Sequence, residues 1–224
     1  MKKLVVLTGA GMSAESGIST FRDSDGLWEN HRVEDVATFG GWLRNPELVL
    51  KFYNERRRQL AEVQPNKGHR ILAELEKNFD VQIITQNVDN LHERASSSQV
   101  LHLHGELTKA CNLSKTIVED IGYRDIKTND TLGETQMRPF IVWFGEAVPE
   151  IENAIKIVEN ADILVIIGTS LKVYPAAGLM SYAPELCPIY CIDPKEVDNL
   201  PDYVHVIKKG ASQGLEELRK ILLK

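Results

Sequence analysis

Short runs of aliphatic and β-branched residues recur along the chain at 4–8 (L-V-V-L-T), 81–85 (V-Q-I-I-T), 100–104 (V-L-H-L-H), 140–144 (F-I-V-W-F), 163–168 (I-L-V-I-I-G) and 188–193 (P-I-Y-C-I-D), with a weaker one at 204–208 (V-H-V-I-K). Most are apolar at consecutive positions, the pattern of strands buried on both faces. Helical periodicity fills 46–63, 66–78, 149–160 and 211–223, and Pro46, Pro65 and Pro149 stand near three of the starts. Proline suits a helix entry because its fixed φ is already helical and the N–H it lacks would be unpaired there. Alternating strands and helices predict an α/β fold, a parallel sheet with helices on both faces. Two stretches break the alternation. Residues 23–79 carry no convincing strand and read as a helical insertion; residues 106–138 are polar and irregular, with 127–135 reading as an exposed loop. The expected division is a large lobe from about 1–22, 80–105 and 139–224 and a small lobe from 23–79 and 106–138, with a ligand cleft between them.

Composition narrows the class. With 224 residues the chain can bury a sizeable core, and 43% hydrophobic and 26% charged residues are ordinary for a soluble enzyme. A net charge of −6 argues against direct nucleic-acid binding, which draws on a basic surface. The apolar run at 4–7 is too short for a signal peptide, and no stretch of about 18 apolar residues exists, so no membrane association is expected. Cys111, Cys187 and Cys191 form no disulfide framework, which fits a reducing cytoplasm. The expectation is a cytoplasmic monomer.

Candidate chemistry collects where the apolar runs end. Gly9-Ala10-Gly11-Met12-Ser13-Ala14 follows the first run and satisfies G-x-G-x-x-[G/A], whose small residues let backbone approach a pyrophosphate. A tight turn alone is the competing reading. A hydride-transfer enzyme also wants an acidic residue ending a second strand about 20 residues on. Here that region reads D-S-D-G-L-W-E-N-H, with no strand, so a Rossmann-like sheet would hold its dinucleotide differently. The motif continues to Phe21 and Arg22, an aromatic suited to covering a ring and a cation suited to a phosphate. Gln86-Asn87-Val88-Asp89 follows the second run, where capping of the next helix competes with ligand binding. His102 and His104 alternate along their run and point the same way, and Gly105 would let a ligand approach His104. A satisfied core histidine is the bland alternative to a general base. Gly168-Thr169-Ser170 closes another run with hydroxyls suited to phosphate or ribose, or simply to a turn.

In one chain and in order stand G-A-G-M-S-A-E-S-G-I-S-T-F-R, T-Q-N-V-D-N-L-H, H-L-H-G-E-L, R-P-F-I-V-W-F-G-E and G-T-S-L-K-V-Y-P. Together they closely resemble the sirtuins, NAD-dependent protein-lysine deacylases, from about residue 4 to 210. The resemblance implies that an acyl-lysine oxygen attacks the ribose carbon bearing nicotinamide, with nicotinamide and O-acyl-ADP-ribose as products. It implies His104 as the base that deprotonates a ribose hydroxyl for attack on an alkylimidate, with Asn87, Asp89 and Gln86 at the nicotinamide ribose and carboxamide. Gly9, Ala10, Gly11 and Ser13 would line the pyrophosphate, Phe21 and Arg22 the nicotinamide end, Gly168, Thr169 and Ser170 phosphate and ribose, and Asp193 the adenosine ribose. Val142, Trp143, Phe144, Gly145 and Glu146 match the segment that pairs with the substrate peptide as an added strand. The partners implied are acylated-lysine proteins.

Tyr53 and Arg56 in F-Y-N-E-R-R-R-Q lie three apart, on one face of the 46–63 helix. A solvated basic face is the composition-based reading, but Tyr-x-x-Arg resembles the sirtuin subgroup that removes succinyl, malonyl or glutaryl groups. A guanidinium pairs bidentately with a distal carboxylate, and a tyrosine hydroxyl adds a hydrogen bond. The resemblance leaves two other readings open: mono-ADP-ribosyl transfer, and a non-catalytic module that binds NAD or acyl-lysine. Most sirtuins also carry four cysteines between the H-G and R-P motifs, holding a structural zinc. Here Gly105–Arg138 offers Cys111, with Ser114 at the C-x-x-C spacing, and neither another cysteine nor a histidine. One thiolate with oxygens makes a poor structural zinc site, so no zinc is expected. Ile117, Val118, Ile121, Tyr123 and Ile126 are the candidates for a small core in its place.

Overall fold

The structure, a computed structural model, describes all residues except 20–26 and 29. The first half of the chain forms β1 (Lys3–Thr8), β2 (Leu27–Trp28), β3 (His31–Arg32), α1 (Val33–Val36), α2 (Phe39–Arg44), α3 (Pro46–Glu62), α4 (Lys67–Leu75), β4 (Asp80–Thr85), α5 (Leu91–Arg94) and β5 (Val100–His102). The second half forms β6 (Gly105–Cys111), β7 (Val118–Asp120), β8 (Thr131–Leu132), β9 (Thr135–Gln136), β10 (Arg138–Ile141), α6 (Ile151–Val158), β11 (Ile163–Ile167), β12 (Ile189–Ile192), β13 (His205–Ile207) and α7 (Ala211–Leu222).

Six of these strands make one sheet in the order β13-β12-β11-β1-β4-β5, with every neighbouring pair parallel. The consecutive apolar runs are explained by two cores, one on each face. Leu4, Val6, Ile83, Val165 and Ile167 pack with Ile71, Leu72 and Leu75 of α4 and Leu215 and Leu218 of α7. Val5, Leu7, Ile84, Leu164 and Ile166 pack with Ala154 and Val158 of α6. Residues 67–79, counted above with the first insertion, therefore lie on the large sheet. The apolar stripe of α4 and Phe79 find their partners there. Strand order turns back at β1, with β4 on one side and β11 on the other. The loops leaving β1 and β11 thus diverge and open a crevice at the carboxyl ends of the strands.

The strand expected at 140–144 is not part of this sheet. It is β10, which pairs antiparallel with β6 in a separate three-stranded sheet with β7. The chain then leaves the ladder: the Val142 amide donates to the His104 carbonyl at 2.9 Å and the Phe144 amide to the Ala37 carbonyl at 2.9 Å. Nor is 106–138 irregular throughout. It holds the seven-residue β6, and 127–135 contains most of a small β8–β9 hairpin turning at Gly133, where φ is +64°.

Helix α3 fastens this second insertion. Asn45 caps it by accepting from the Leu48 amide at 3.0 Å, and Pro46 opens it. On its inner face, Asn54 pairs with the backbone of Ile126 in both directions, its Nδ2 donating to the carbonyl at 2.9 Å and its Oδ1 accepting from the amide at 3.0 Å. Arg57 is fully buried and donates from Nη1 to Asn54 Oδ1 and from Nε to the Leu107 carbonyl, both at 2.7 Å. Burial lowers the Arg57 pKa to about 10, which still leaves the guanidinium charged at neutral pH. Of the apolar candidates, Ile121 and Ile126 are buried in the core that includes Phe52, Tyr53 and Leu60, whereas Ile117, Val118 and Tyr123 remain exposed. Replacing Asn54 with alanine strands the Ile126 amide and carbonyl away from water. Unfolding in urea is expected to show a loss of about 2–6 kcal/mol, at roughly 1–3 kcal/mol per orphaned group.

Where the half zinc motif stands, Cys111 is fully buried with Sγ 3.8 Å from the Pro139 carbonyl oxygen, and burial pushes its thiol pKa up to about 11. Asn112 closes the following turn by donating to Ser114 Oγ at 3.1 Å and Thr116 Oγ1 at 2.9 Å and accepting from the Ile117 amide at 3.0 Å. Among the described residues no group of three or more His, Cys, Asp or Glu is placed to hold a metal ion. Metal analysis of purified protein checks this directly: zinc well below one per chain is the expected result, and one tight zinc per chain would refute it. No helix among the described residues is long and apolar enough to cross a membrane.

Candidate functional site

At the reversal of strand order the loops after β1 and β11 interlock. The Gly11 amide donates to the Gly168 carbonyl at 2.9 Å, and Gly168 has φ of +62°. A Cβ on Gly11 would lie 2.6 Å from Gly168 Cα, and one on Gly168 would lie 2.5 Å from the Gly11 carbonyl carbon. These glycines therefore serve contact between two backbones. In front of them opens a cleft of about 510 Å³, lined by Gly9, Ala10, Gly11, Ser13, Gln86, Asn87, Asp89, His104, Gly168, Thr169, Ser170 and Asp193. It continues past Tyr53, Arg56 and residues 142–146. Phe21 and Arg22, assigned above to the nicotinamide end, lie outside the described residues.

The turn after β4 is tied to the glycine loop by its own polar side chains. Asn87 donates from Nδ2 to the Gly9 carbonyl at 3.0 Å and to Ser13 Oγ at 3.2 Å. Asp89 accepts from Ser13 Oγ at 2.9 Å and from the Leu91 amide at 3.1 Å, so one oxygen caps α5 while the other reaches the loop. The Leu91 bond satisfies the first amide of the helix, and the Ser13 bond fixes the carboxylate at the cleft. Desolvation of the buried Asp89 raises its pKa above the usual carboxylate range. Behind the turn, Thr8 Oγ1 donates to Thr85 Oγ1 at 2.8 Å, and Thr85 Oγ1 accepts from the Asn87 amide at 3.0 Å. Since the Thr8 proton is spent on Thr85, His92 Nε2 at 3.2 Å must be a donor, and its ring is neutral. Thr8, Thr85 and His92 thus support the site from inside the sheet. Alternation alone would mark the two threonines as ordinary strand residues.

His104 offers the chemistry of a base. Its Nδ1 sits 3.0 Å from the Gln86 carbonyl, which can only accept, so Nδ1 carries the hydrogen and Nε2 keeps its lone pair. Burial lowers its pKa below the ordinary imidazole value, against the smaller opposing pull of that hydrogen bond. The next residue has another task than the one read from sequence. Gly105 has φ of +82°, and a Cβ there would fall 2.0 Å from the Phe140 carbonyl oxygen. The close approach seen here is by β10. His102 does not line the cleft with His104; its ring is held on one side by the Asn87 carbonyl and on the other by Glu93.

Tyr53 is fully buried in the cleft wall, and its hydroxyl accepts from Trp143 Nε1 at 3.0 Å, keeping its own proton for an acceptor. Desolvation raises its pKa, so the phenol stays protonated. Arg56 lines the same region with Cζ 5.1 Å from the Phe52 ring centroid. Trp28 also lines the cleft, edge-on to Phe52 at 5.0 Å and Tyr53 at 6.2 Å, and only its place as a lone indole in a polar stretch hints at it in sequence. In 142–146, Phe144 and Gly145 face outward while Trp143 is buried. The Glu146 carboxylate accepts from Arg138 Nη1 at 2.8 Å, from Lys115 Nζ at 2.8 Å and from the Trp143 amide at 2.8 Å. Burial opposes its charge, but Arg138 and Lys115 hold its pKa below the usual range. Its side chain is committed to shaping this turn.

Comparison with known proteins places this arrangement. Residues 9–175 match the Sir2 family. A protein of Bacteroides thetaiotaomicron named NAD-dependent protein deacylase is 61% identical over 231 residues, covering 100% of this chain and 99% of its own. A solved Sir2 homologue, a mutant in complex with ADP-ribose, superposes with a TM-score of 0.90 at 38% identity, over 99% of this chain and 94% of that one. A Sir2 homologue in complex with NAD gives 0.87, also at 38% identity, over 99% and 91% of the two chains.

Proposed function

The chain belongs to the Sir2 family and is an NAD-dependent protein deacylase; from that premise we propose that acyl-lysines with a distal carboxylate, such as succinyl-, malonyl- or glutaryl-lysine, are its preferred substrates. The observation that carries the preference is Tyr53 and Arg56 together on the cleft wall. Burial of the surrounding wall by Trp28, Phe52 and Trp143 removes water that would otherwise compete for the carboxylate. A guanidinium in such a place recognises a carboxylate by charge-assisted hydrogen bonds.

The residues present fit NAD. The cleft volume of about 510 Å³ lies within the range of small-molecule sites. Asp89 and Asp193 stand at the ends of β4-side and β12-side loops, with carboxylates suited to hydroxyl-rich ligands. Gly9, Ala10, Gly11 and Ser13 would hold the pyrophosphate, Gln86, Asn87 and Asp89 the nicotinamide ribose and carboxamide, Gly168, Thr169 and Ser170 phosphate and ribose, and Asp193 the adenosine ribose. Bound NAD would supply a ribose carbon from which nicotinamide can be displaced by the acyl oxygen, and a ribose hydroxyl on which the acyl group can end as an ester. His104 then accepts a proton at Nε2, the nitrogen that its Gln86 bond leaves available. Asn87 and Asp89, locked to the glycine loop, orient what that base faces. Phe144 and Gly145 present backbone to the substrate peptide.

The test compares succinyl- and acetyl-lysine forms of one peptide by kcat/KM, with products followed by mass spectrometry. A higher value for the succinyl peptide and formation of O-succinyl-ADP-ribose are expected. Equal or better turnover of the acetyl peptide sinks the acidic preference. ADP-ribosylated protein in place of the ester would mark a transferase instead.

A further inference from the structure

His102 is nearly enclosed, with its side chain 8% exposed. Its Nδ1 lies 3.1 Å from the Asn87 carbonyl oxygen and its Nε2 lies 2.7 Å from Glu93 Oε1. A carbonyl has no proton to give, and neither has an ionised carboxylate. Both ring nitrogens must then carry hydrogens, and the ring is an imidazolium. His104, two residues on, has a single such partner and stays neutral. The two histidines of H-L-H-G are thus sorted by their acceptors.

We propose that His102 is a positioning residue of the deacylation site, an imidazolium strung between Glu93 and the Asn87 carbonyl that fixes the turn carrying Asn87 and Asp89. It does not line the cleft, so it acts through the turn. The grip matters because that turn leaves the sheet edge and makes its reactive contacts with side chains: Asn87 to the Gly9 carbonyl, Asp89 to Ser13. From the other side, the Leu107 amide donates to the Val88 carbonyl at 2.8 Å. Two successive carbonyls of the turn are thereby held by donors from the β5–β6 segment.

The groups around the ring come from three elements. Glu93 faces it from α5, Glu106 from β6, and Asp89 and His92 from the turn and helix it grips. Lys109 of β6 is paired with Glu106 and also faces Glu93. Burial works against the ring charge, but the hydrogen bond and charge of Glu93, with Glu106 behind it, outweigh this and raise the His102 pKa. The charged form therefore prevails below that raised value and is lost as pH rises through it. Once neutral, one nitrogen turns a lone pair on an oxygen that also only accepts, and the grip on Asn87 or on Glu93 fails.

The proposal rests on the deacylase reading, and two readouts separate them. The first is kcat from about pH 6 to about pH 10, a span that brackets imidazole titration. Wild type is expected to lose kcat on the alkaline side. In Glu93→Gln that loss moves down by about one pH unit or more, since a neutral partner supports the imidazolium less. In His102→Gln, kcat falls about tenfold with the KM for acyl peptide unchanged, and the alkaline loss disappears. An alkaline limb in Glu93→Gln that coincides with wild type overturns the proposal, as does wild-type kcat in His102→Gln. The second readout is NMR of the His102 Cε1–H and the Asn87 side-chain amide, which needs no turnover. A ring that titrates above an ordinary histidine, with the Asn87 signals following it, supports the proposal. A ring that titrates at or below the ordinary value, or Asn87 signals that ignore it, overturns the proposal. If wild type releases no nicotinamide, the deacylase reading falls, and the NMR titration alone decides on the grip.

Discussion

Replacing His104 with alanine is expected to lower kcat for deacylation by about 10²- to 10⁴-fold, the usual worth of a positioned general base. The argument runs from hydrogen-bond partners to protonation state. Gln86 accepts from Nδ1, so Nε2 is the one nitrogen able to take a proton, and burial keeps the ring unprotonated around neutral pH. The side chain supports no core cluster, so the variant should keep its fold and its affinity for NAD, measured by calorimetry. In wild type the depressed pKa has a definite sign. The base is competent above its folded pKa, so activity persists to lower pH than an ordinary imidazole would allow and then falls. An alanine variant that consumes NAD at the wild-type rate removes His104 from the chemistry.

How much of this was legible in the chain follows from where each signal lives. G-A-G-M-S-A, Q-N-V-D, H-L-H-G and G-T-S each end an apolar run, and parallel strands bring such endings to one edge. The endings of the runs therefore mark the cleft. What the runs do not encode is partner choice. F-I-V-W-F has a strand composition, but its β10 part pairs antiparallel with β6, and Trp143 turns away to meet Tyr53. Arg56, Arg57 and Arg58 are identical in sequence and separated by about 100° each around the helix. Arg56 lines the cleft, Arg57 is buried beneath the small lobe, and Arg58 pairs with Asp125 at the surface at 2.6 Å. Only the position of residues 107–126 decides which is which, and that position depends on contacts distant in sequence. Likewise Glu146 ends the stretch expected to pair with a substrate peptide, yet Arg138 and Lys115 claim its carboxylate.

Arg56→Met should weaken kcat/KM for a succinyl peptide by about 2–5 kcal/mol, the loss expected when one partner of a desolvated charge pair is removed. At 1.36 kcal/mol per decade this is roughly 30- to 5000-fold. The acetyl peptide has no distal carboxylate and should change far less, which makes the ratio of the two substrates the informative quantity. Methionine keeps an unbranched apolar side chain but loses the guanidinium that sits over the Phe52 ring, and a packing defect from that loss would depress both peptides alike. Tyr53→Phe separates the roles further. It removes the hydroxyl that accepts from Trp143, and under the proposed acidic-acyl preference it should cost the succinyl peptide more than the acetyl one. A parallel loss on both peptides in Arg56→Met means that the guanidinium shapes the wall without reading the acyl group.

The small lobe is fastened by amides, a buried guanidinium and a sealed thiol. Cys111, Cys187 and Cys191 are all buried, and burial raises the thiol pKa of Cys111 and of Cys187. Oxidants and electrophiles attack thiolates, and a lobe stapled by zinc–thiolate bonds comes apart when its sulfurs are modified or its metal is captured. Here the Asn54–Ile126 and Arg57–Leu107 bonds offer such reagents nothing to attack. Deacylation by this chain is therefore expected to persist after treatment with a chelator, and loss of activity that added zinc restores would show that a metal holds the lobe.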